Sequence, residues 1–346
     1  NVAVGSGTLN SNTTADNNTA VGYQAGYSNT TGASGTAVGS LALYSNTTGD
    51  ENVAVGREAL YSNTTASDNI AVGRRALYLN TTGTNSVAMG YQALNSNTTA
   101  SNNTAVGYQA GYANTTGDVT AFGSNAARSQ TTAVYNTAFG NQTLYTNTGS
   151  GNTGFGSLVL YANTTGIENV GVGGSLATSA ALRANTTGSY NTSVGAGSLA
   201  LNTTASANTA VGYQSLYSNT TGANNTAMGF SAVANTTTGN NNTGVGRDAL
   251  YTNTTASSNT AVGYAALYDN TTGAELVAIG QEALANNTTA SANTSVGFGS
   301  MVYNTTGASN VALGWKSLFS NTSGALNTGI GYQSLFTNTT GYQNTA

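Results

Sequence analysis

The sequence predicts an all-β fold, a parallel β-solenoid of about twenty coils, each seventeen residues long. Three observations predict it. A glycine returns at near-constant spacing, a short β-type pattern precedes each glycine, and an Asn-Thr-Thr turn lies partway round each repeat. The glycine closes an Asn-Thr-Ala-Val-Gly motif and runs from Gly5 and Gly22 through Gly314 and Gly331. The twenty anchors define nineteen steps. Sixteen of these are seventeen residues long, two are sixteen, and one, Gly173 to Gly195, is twenty-two.

The strand comes first in the coil. The residue before each anchor is always Val, Ile, Leu, Met or Phe. The one before that is always Ala, Gly or Ser, and the third back is Thr, Val or Ile. Such period-2, β-branched patterning reads as a strand. The large residue, Val211 for example, is expected to point into the core. The tiny one is expected where another backbone comes close. After the anchor, Leu stands four residues on in 14 of 20 coils, and Tyr often follows, as at Tyr44, Tyr61 and Tyr251. The Tyr column reads as a stacked structural ladder, with a carbohydrate-binding or adhesive stripe as its functional counterpart. The Asn-Thr-Thr that follows is turn chemistry. A Gly and such a turn in every repeat leave no room for an amphipathic helix. Successive coils stack at about 4.8 Å, so twenty make a rod about 100 Å long. Stability then comes from neighbouring coils.

Fifteen of the 18 charged residues fall in two windows of the repeat. One lies one or two residues after the anchor and includes Arg57, Glu58, Arg75 and Arg247. The other lies eleven or twelve residues after it and includes Asp16, Asp50 and Asp68. Both windows are expected to face solvent, and Glu58 with Arg75 reads as a surface pair of little energy. The repeat reads as one continuous domain over 1–346, with irregular coils at 108–160 and a five-residue insertion within 174–195, expected as a surface bulge.

Composition excludes several classes. The chain has 346 residues with 45 Gly and no Pro, Cys or His; 5% are charged and the net charge is −4. A disordered chain carries more charge and Pro, and a globule this long buries larger side chains. The acidic balance speaks against a nucleic-acid partner, and no apolar run reaches the roughly 20 residues of a membrane span. The absence of Cys rules out disulfides and thiolate metal sites. With residue 1 not Met and no leader, the sequence reads as a mature or trimmed segment.

At the level of Thr209–Leu216, TAVGYQSL, and Ser86–Ala93, SVAMGYQA, the sequence resembles two kinds of repeat. One is the head repeat of trimeric (YadA-like) autotransporter adhesins. The other is the repeat of phage and bacterial tail-fibre-like proteins. The resemblance covers nearly the whole chain. It implies a left-handed β-roll, a homotrimer, and use as a surface or virion fibre. The adhesin coil is usually shorter than the coil of this chain, and none of these 346 residues reads as a stalk, anchor or chaperone segment.

The recurrent turn supplies the candidate site residues: Asn12, Asn29, Asn46, Asn63, Asn80, Asn97, Asn114, Asn163, Asn185, Asn202, Asn219, Asn253, Asn270, Asn287, Asn304, Asn321 and Asn338. Each opens an Asn-x-Ser/Thr acceptor pattern for N-glycosylation. The same residues suit a ladder in which stacked amides hydrogen-bond from coil to coil. Both uses stay open here. An ice-binding face is disfavoured, because adjacent Thr residues of a strand point to opposite faces. With no His or Cys and with scattered carboxylates, catalytic residues, metal ligands and cofactors are expected to be absent. Uncapped coils at both ends invite pairing with further copies. The expected function is a structural extracellular fibre that assembles with itself, as a trimer or head to tail, with or without glycans. The alternative is the shaft or head of a trimeric adhesin or phage tail fibre that binds a surface carbohydrate or other receptor. Both place the protein outside the cell or on a cell or virion surface.

Overall fold

The computed structural model describes residues 1–174 and 179–346, and it is an all-β parallel solenoid. The residues group into two compact units, Asn1–Glu168 and Asn169–Ala346. The first holds ten strands, β1 (Val2–Val4) to β10 (Thr153–Phe155). The second holds ten more, β11 (Val170–Val172) to β20 (Thr328–Ile330). Within each unit every strand pairs in parallel with the next, position for position: Ala71 opposite Ala88 and Ala88 opposite Ala105 in the first, Val211 opposite Met228 in the second. Part of the insertion expected within 174–195 lies outside the described residues. The register is restored beyond it, with Leu182 N–H donating to Ser198 O at 3.2 Å.

Hydrogen bonding to neighbouring coils continues round the whole circuit. In one coil Val53 N–H donates to Asn69 O (2.8 Å), Gly56 N–H to Val38 O (2.8 Å), Leu60 N–H to Ala76 O (3.0 Å) and Thr64 N–H to Thr81 O (3.1 Å). The chain turns sharply enough to do this because most coils place three positions in left-handed backbone, and most of those residues are not glycine. In that same coil they are Glu51, Glu58 and Leu60, with φ of 56°, 60° and 48°. Each such residue costs about 1–3 kcal/mol. For Leu60, complete burial returns about 1.5–3 kcal/mol. The two shortened coils keep their strands in register, with Ala105 opposite Ala121 and Phe139 opposite Phe155, so the missing residue in each is taken from a turn.

The strand faces are the reverse of those expected. The small residue two before the anchor points inward, and the large one points out. Ala88 is fully buried while Met89 is 43% exposed, and the same alternation holds along both units. Val211 lies on the outer face with its neighbour Met228, and Ala210 takes the inner position. The physical reason is the narrowness of the coil. The inward side chain meets the alanine column three residues after the anchor and the leucine column four after it. At Gly244, which stands in the small-residue column, an added Cβ would lie 2.4 Å from Val233 Cγ2. Only Ala, Gly or Ser fits. The close backbone approach belongs instead to the anchor glycine. Gly56 has φ +132°, and a Cβ there would sit 2.7 Å from the carbonyl carbon of Gly73.

Candidate functional site

The interior is lined by two columns of asparagine. The first is the Asn of the Asn-Thr-Thr turn. Fifteen of the 17 candidates are buried; Asn12 and Asn338 are half-buried. Along the column the amide nitrogen makes two bonds. Asn63 Nδ2 donates to Asn46 Oδ1 and to Ala66 O, both at 2.9 Å, and Asn80 Nδ2 donates in turn to Asn63 Oδ1 at 2.9 Å. The same pattern runs through Asn270, Asn287, Asn304 and Asn321. An N-linked sugar replaces one of those hydrogens and requires open space beyond the nitrogen. The ladder and the sugar draw on the same amide, and in the folded coil both hydrogens of Asn63 Nδ2 are taken up, one by the ladder and one by the turn carbonyl.

The second column is the Asn that opens Asn-Thr-Ala-Val-Gly, present in 16 of 20 coils. Its role was not drawn from the sequence, although its recurrence is visible there. Asn52 Nδ2 donates to Ala66 O at 2.7 Å, and its Oδ1 accepts Asn69 N–H at 3.1 Å. These amides hold the backbone of the next coil where the strand pattern has not yet begun. Outside the turn, the first Thr hydroxyl bonds to the next coil as well, as in Thr47 Oγ1 to Thr64 O at 3.0 Å.

Substitutions in the first column leave a visible mark. Gln130 and Thr236 stand where Asn is the rule. In the coils before them, the Oδ1 atoms of Asn114 and Asn219 are buried and take no hydrogen bond. Thr236 offers one hydroxyl, which accepts from Asn253 Nδ2 at 3.0 Å. Thr236→Asn restores a donor toward Asn219 Oδ1 at nearly unchanged volume. We expect it to stabilise the protein by about 1 kcal/mol, a typical net value for one hydrogen bond, read as an increase in the denaturant midpoint with unchanged slope.

The outer surface carries aromatic columns. Five residues after the anchor, Tyr27, Tyr44, Tyr61 and Tyr78 stack with centroids 5.1–5.3 Å apart. Burial, with the neighbouring phenols Tyr44 and Tyr78, raises the Tyr61 hydroxyl above its ordinary range. Arg128 takes a place in the same column between Tyr112 and Tyr145, 5.3 and 5.7 Å from their ring centres. One residue after the anchor lies a more exposed column, including Phe298, Trp315 and Tyr332.

The charged windows face solvent with one exception. Glu58 is buried, held by Arg75 and by Arg57, whose Nε lies 2.9 Å from Oε1. The Arg75 hydrogen bond keeps its carboxyl below the usual range against the opposing effect of burial, and Arg57 adds to it. A depressed carboxyl stabilises the fold above its unfolded pKa and loses that contribution as pH falls through the folded one. Among the described residues no group of three or more Asp and Glu could hold a metal ion, and no helix is long and apolar enough to cross a membrane.

Fold and site together define a β-solenoid repeat protein knitted by internal amide ladders. No protein-family model matches the chain, and no curated protein matches it.

Proposed function

We propose that this chain is a structural fibre protein of an extracellular, cell or virion surface, one that assembles with further copies of itself and performs no catalysis. The observation that carries the reading is the bare outer face of the parallel strands. Parallel sheets are normally covered on both faces. Here the outer face presents Met89 and Phe155 in the first unit and Met228, Ile279 and Leu313 in the second, all well exposed. Exposed aromatic side chains from the column beyond the anchor, Tyr108 and Tyr213 among them, adjoin it. An apolar stripe of this kind marks an interaction surface. A partner that matches it must repeat at the coil spacing, and a second copy of this chain does so by construction. The resemblance to adhesin-head and tail-fibre repeats favours the same surface role.

Sedimentation over a range of concentrations tests the reading. The native protein should run as assemblies larger than the monomer. A variant with Met89, Met228 and Ile279 each replaced by Glu should shift to monomer with an unchanged circular dichroism spectrum. A native protein that stays monomeric at every concentration removes the proposal.

A further inference from the structure

The aromatic column five residues after the anchor is interrupted in the second unit. Tyr251 and Tyr268 stack at 5.3 Å, and beyond the interruption Phe319 and Phe336 stack at 5.1 Å. Between them the column holds Ala285 and Val302, so two successive rings are missing. The neighbouring column is reduced at the same height, with Ala265 where most coils carry a polar or charged side chain. Together these small residues floor an open groove of about 510 Å³, within the roughly 300–1,000 Å³ of small-molecule sites.

The walls of the groove are chemically distinct from its floor. Tyr251 covers one face of Tyr268; on its other side the column continues as Ala285 rather than a ring. Tyr303 stands edge-on to Phe319 at 5.1 Å, so it closes the far end of the gap. Asp248, Glu282 and Asn286 supply acceptors and an amide along the sides. Arg247 lies at the edge between Phe230 and Tyr264, 5.7 Å from each ring centre, and its Nε is 3.0 Å from Asp248 Oδ2.

We infer that this gap is a binding slot for a pyranose ring of a neutral saccharide, stacked on Tyr268 and hydrogen-bonded by Asp248, Glu282 and Asn286. The C–H face of a pyranose carries slight positive charge and suits the negative face of an aromatic ring. Its hydroxyls need the carboxylate and amide groups that the sides provide. A cationic ligand is disfavoured, because Arg247 already pairs with Asp248 and occupies the cation–π positions of Phe230 and Tyr264. A planar aromatic ligand would fill the missing ring positions but leave the polar sides without partners. The inference does not depend on self-assembly, since every group belongs to one chain.

Calorimetry on the native protein with maltohexaose, cellotetraose and chitotetraose, beside putrescine and adenosine, tests it. At least one neutral oligosaccharide should bind. Ala285→Tyr fills the first of the two missing ring positions with the residue that half of the coils use there, so it should fold normally and weaken binding at least about tenfold. Glu282→Gln should weaken it by a smaller factor. Ala234→Tyr, which fills a single-residue gap elsewhere in the same unit, should leave binding unchanged. The proposal is overturned if no oligosaccharide binds, if only putrescine or adenosine binds, or if Ala285→Tyr and Ala234→Tyr affect binding alike.

Discussion

Ala88→Asp is expected to unfold its region of the solenoid, while Met89→Asp one residue away should change stability by less than about 1 kcal/mol. The two substitutions introduce the same charge on opposite faces of one strand. Ala88 is completely buried, in a column with Ala71 and Ala105 and in the same interior as Ala93, Leu77 and Leu94. A carboxylate there meets no cationic side chain in the interior, since Arg74 and Arg75 of the same coil lie on its outside, and it must shed its hydration. A buried, unpaired polar group costs about 2–7 kcal/mol and an ionised one more, so the loss should be at least about 3 kcal/mol. Met89 is outward and substantially exposed on the single chain, so at concentrations low enough to keep the protein monomeric its replacement keeps the new charge in water. Because each coil contacts only its neighbours, the loss should be local. Amide hydrogen exchange would then accelerate from Ala71 to Ala105 in the first variant and stay near native rates in the second. Equal effects from the two variants would reject the assignment of faces.

The repeat length, the strand position and the turn were legible in the sequence, because each is a spacing, and spacing survives translation into stacked coils. The direction of the strand was not. Alternation of large and small residues identifies two faces, and the ordinary rule assigns the large one to the core. That rule presumes an interior wide enough for large side chains. Here the interior between strand and turn is filled by Leu60-type leucines and two asparagine columns, so only Ala fits opposite them. One clue to the arrangement lay in the sequence. Where the small position is Ser, at Ser193 and Ser295, a Ser also stands five residues later, at Ser198 and Ser300. The structure joins both pairs: Ser193 Oγ donates to Ser198 O at 2.8 Å and Ser295 Oγ to Ser300 O at 2.9 Å. Paired polar substitutions of this kind identify facing interior positions, and outward columns show no need of them.

The left-handed leucines were equally hidden. A Leu in that backbone region runs against local preference, and nothing short-range in the sequence selects it. It is imposed by the stack, since each Leu must both turn the chain and fill the core. The groove over Ala285 was visible only as two exceptions to a column. It becomes a candidate site once Tyr268, Glu282 and Asp248 are seen around the same gap.

Asn270→Asp should destabilise the protein by about 3–5 kcal/mol at neutral pH, with the loss shrinking on acidification. Asn270 is fully buried; its Nδ2 donates to Asn253 Oδ1 at 3.1 Å and Gly273 O at 2.9 Å, and its Oδ1 accepts from Asn287 Nδ2 at 2.9 Å. Replacing the amide nitrogen by a carboxylate oxygen keeps the accepted bond and turns both donated ones into contacts between acceptors. It also places a charge in an interior without a counter-ion, and an uncompensated buried charge costs about 3–5 kcal/mol. The folded state therefore prefers the protonated acid, which still donates one bond, and the introduced group's folded pKa lies above its unfolded value of about 3.9. Between those two values the folded state binds more protons than the unfolded state, so stability falls as pH rises through that window and is flat below it. Asn270→Ala supplies the comparison. It loses both donated bonds and the accepted one without gaining a charge, so its deficit should be independent of pH over the same range. Denaturant midpoints of the two variants from about pH 3 to pH 8, each referred to the native protein, separate the outcomes. A pH-independent deficit for Asn270→Asp would mean that the amide column is open to water and that the buried ladder does not hold it.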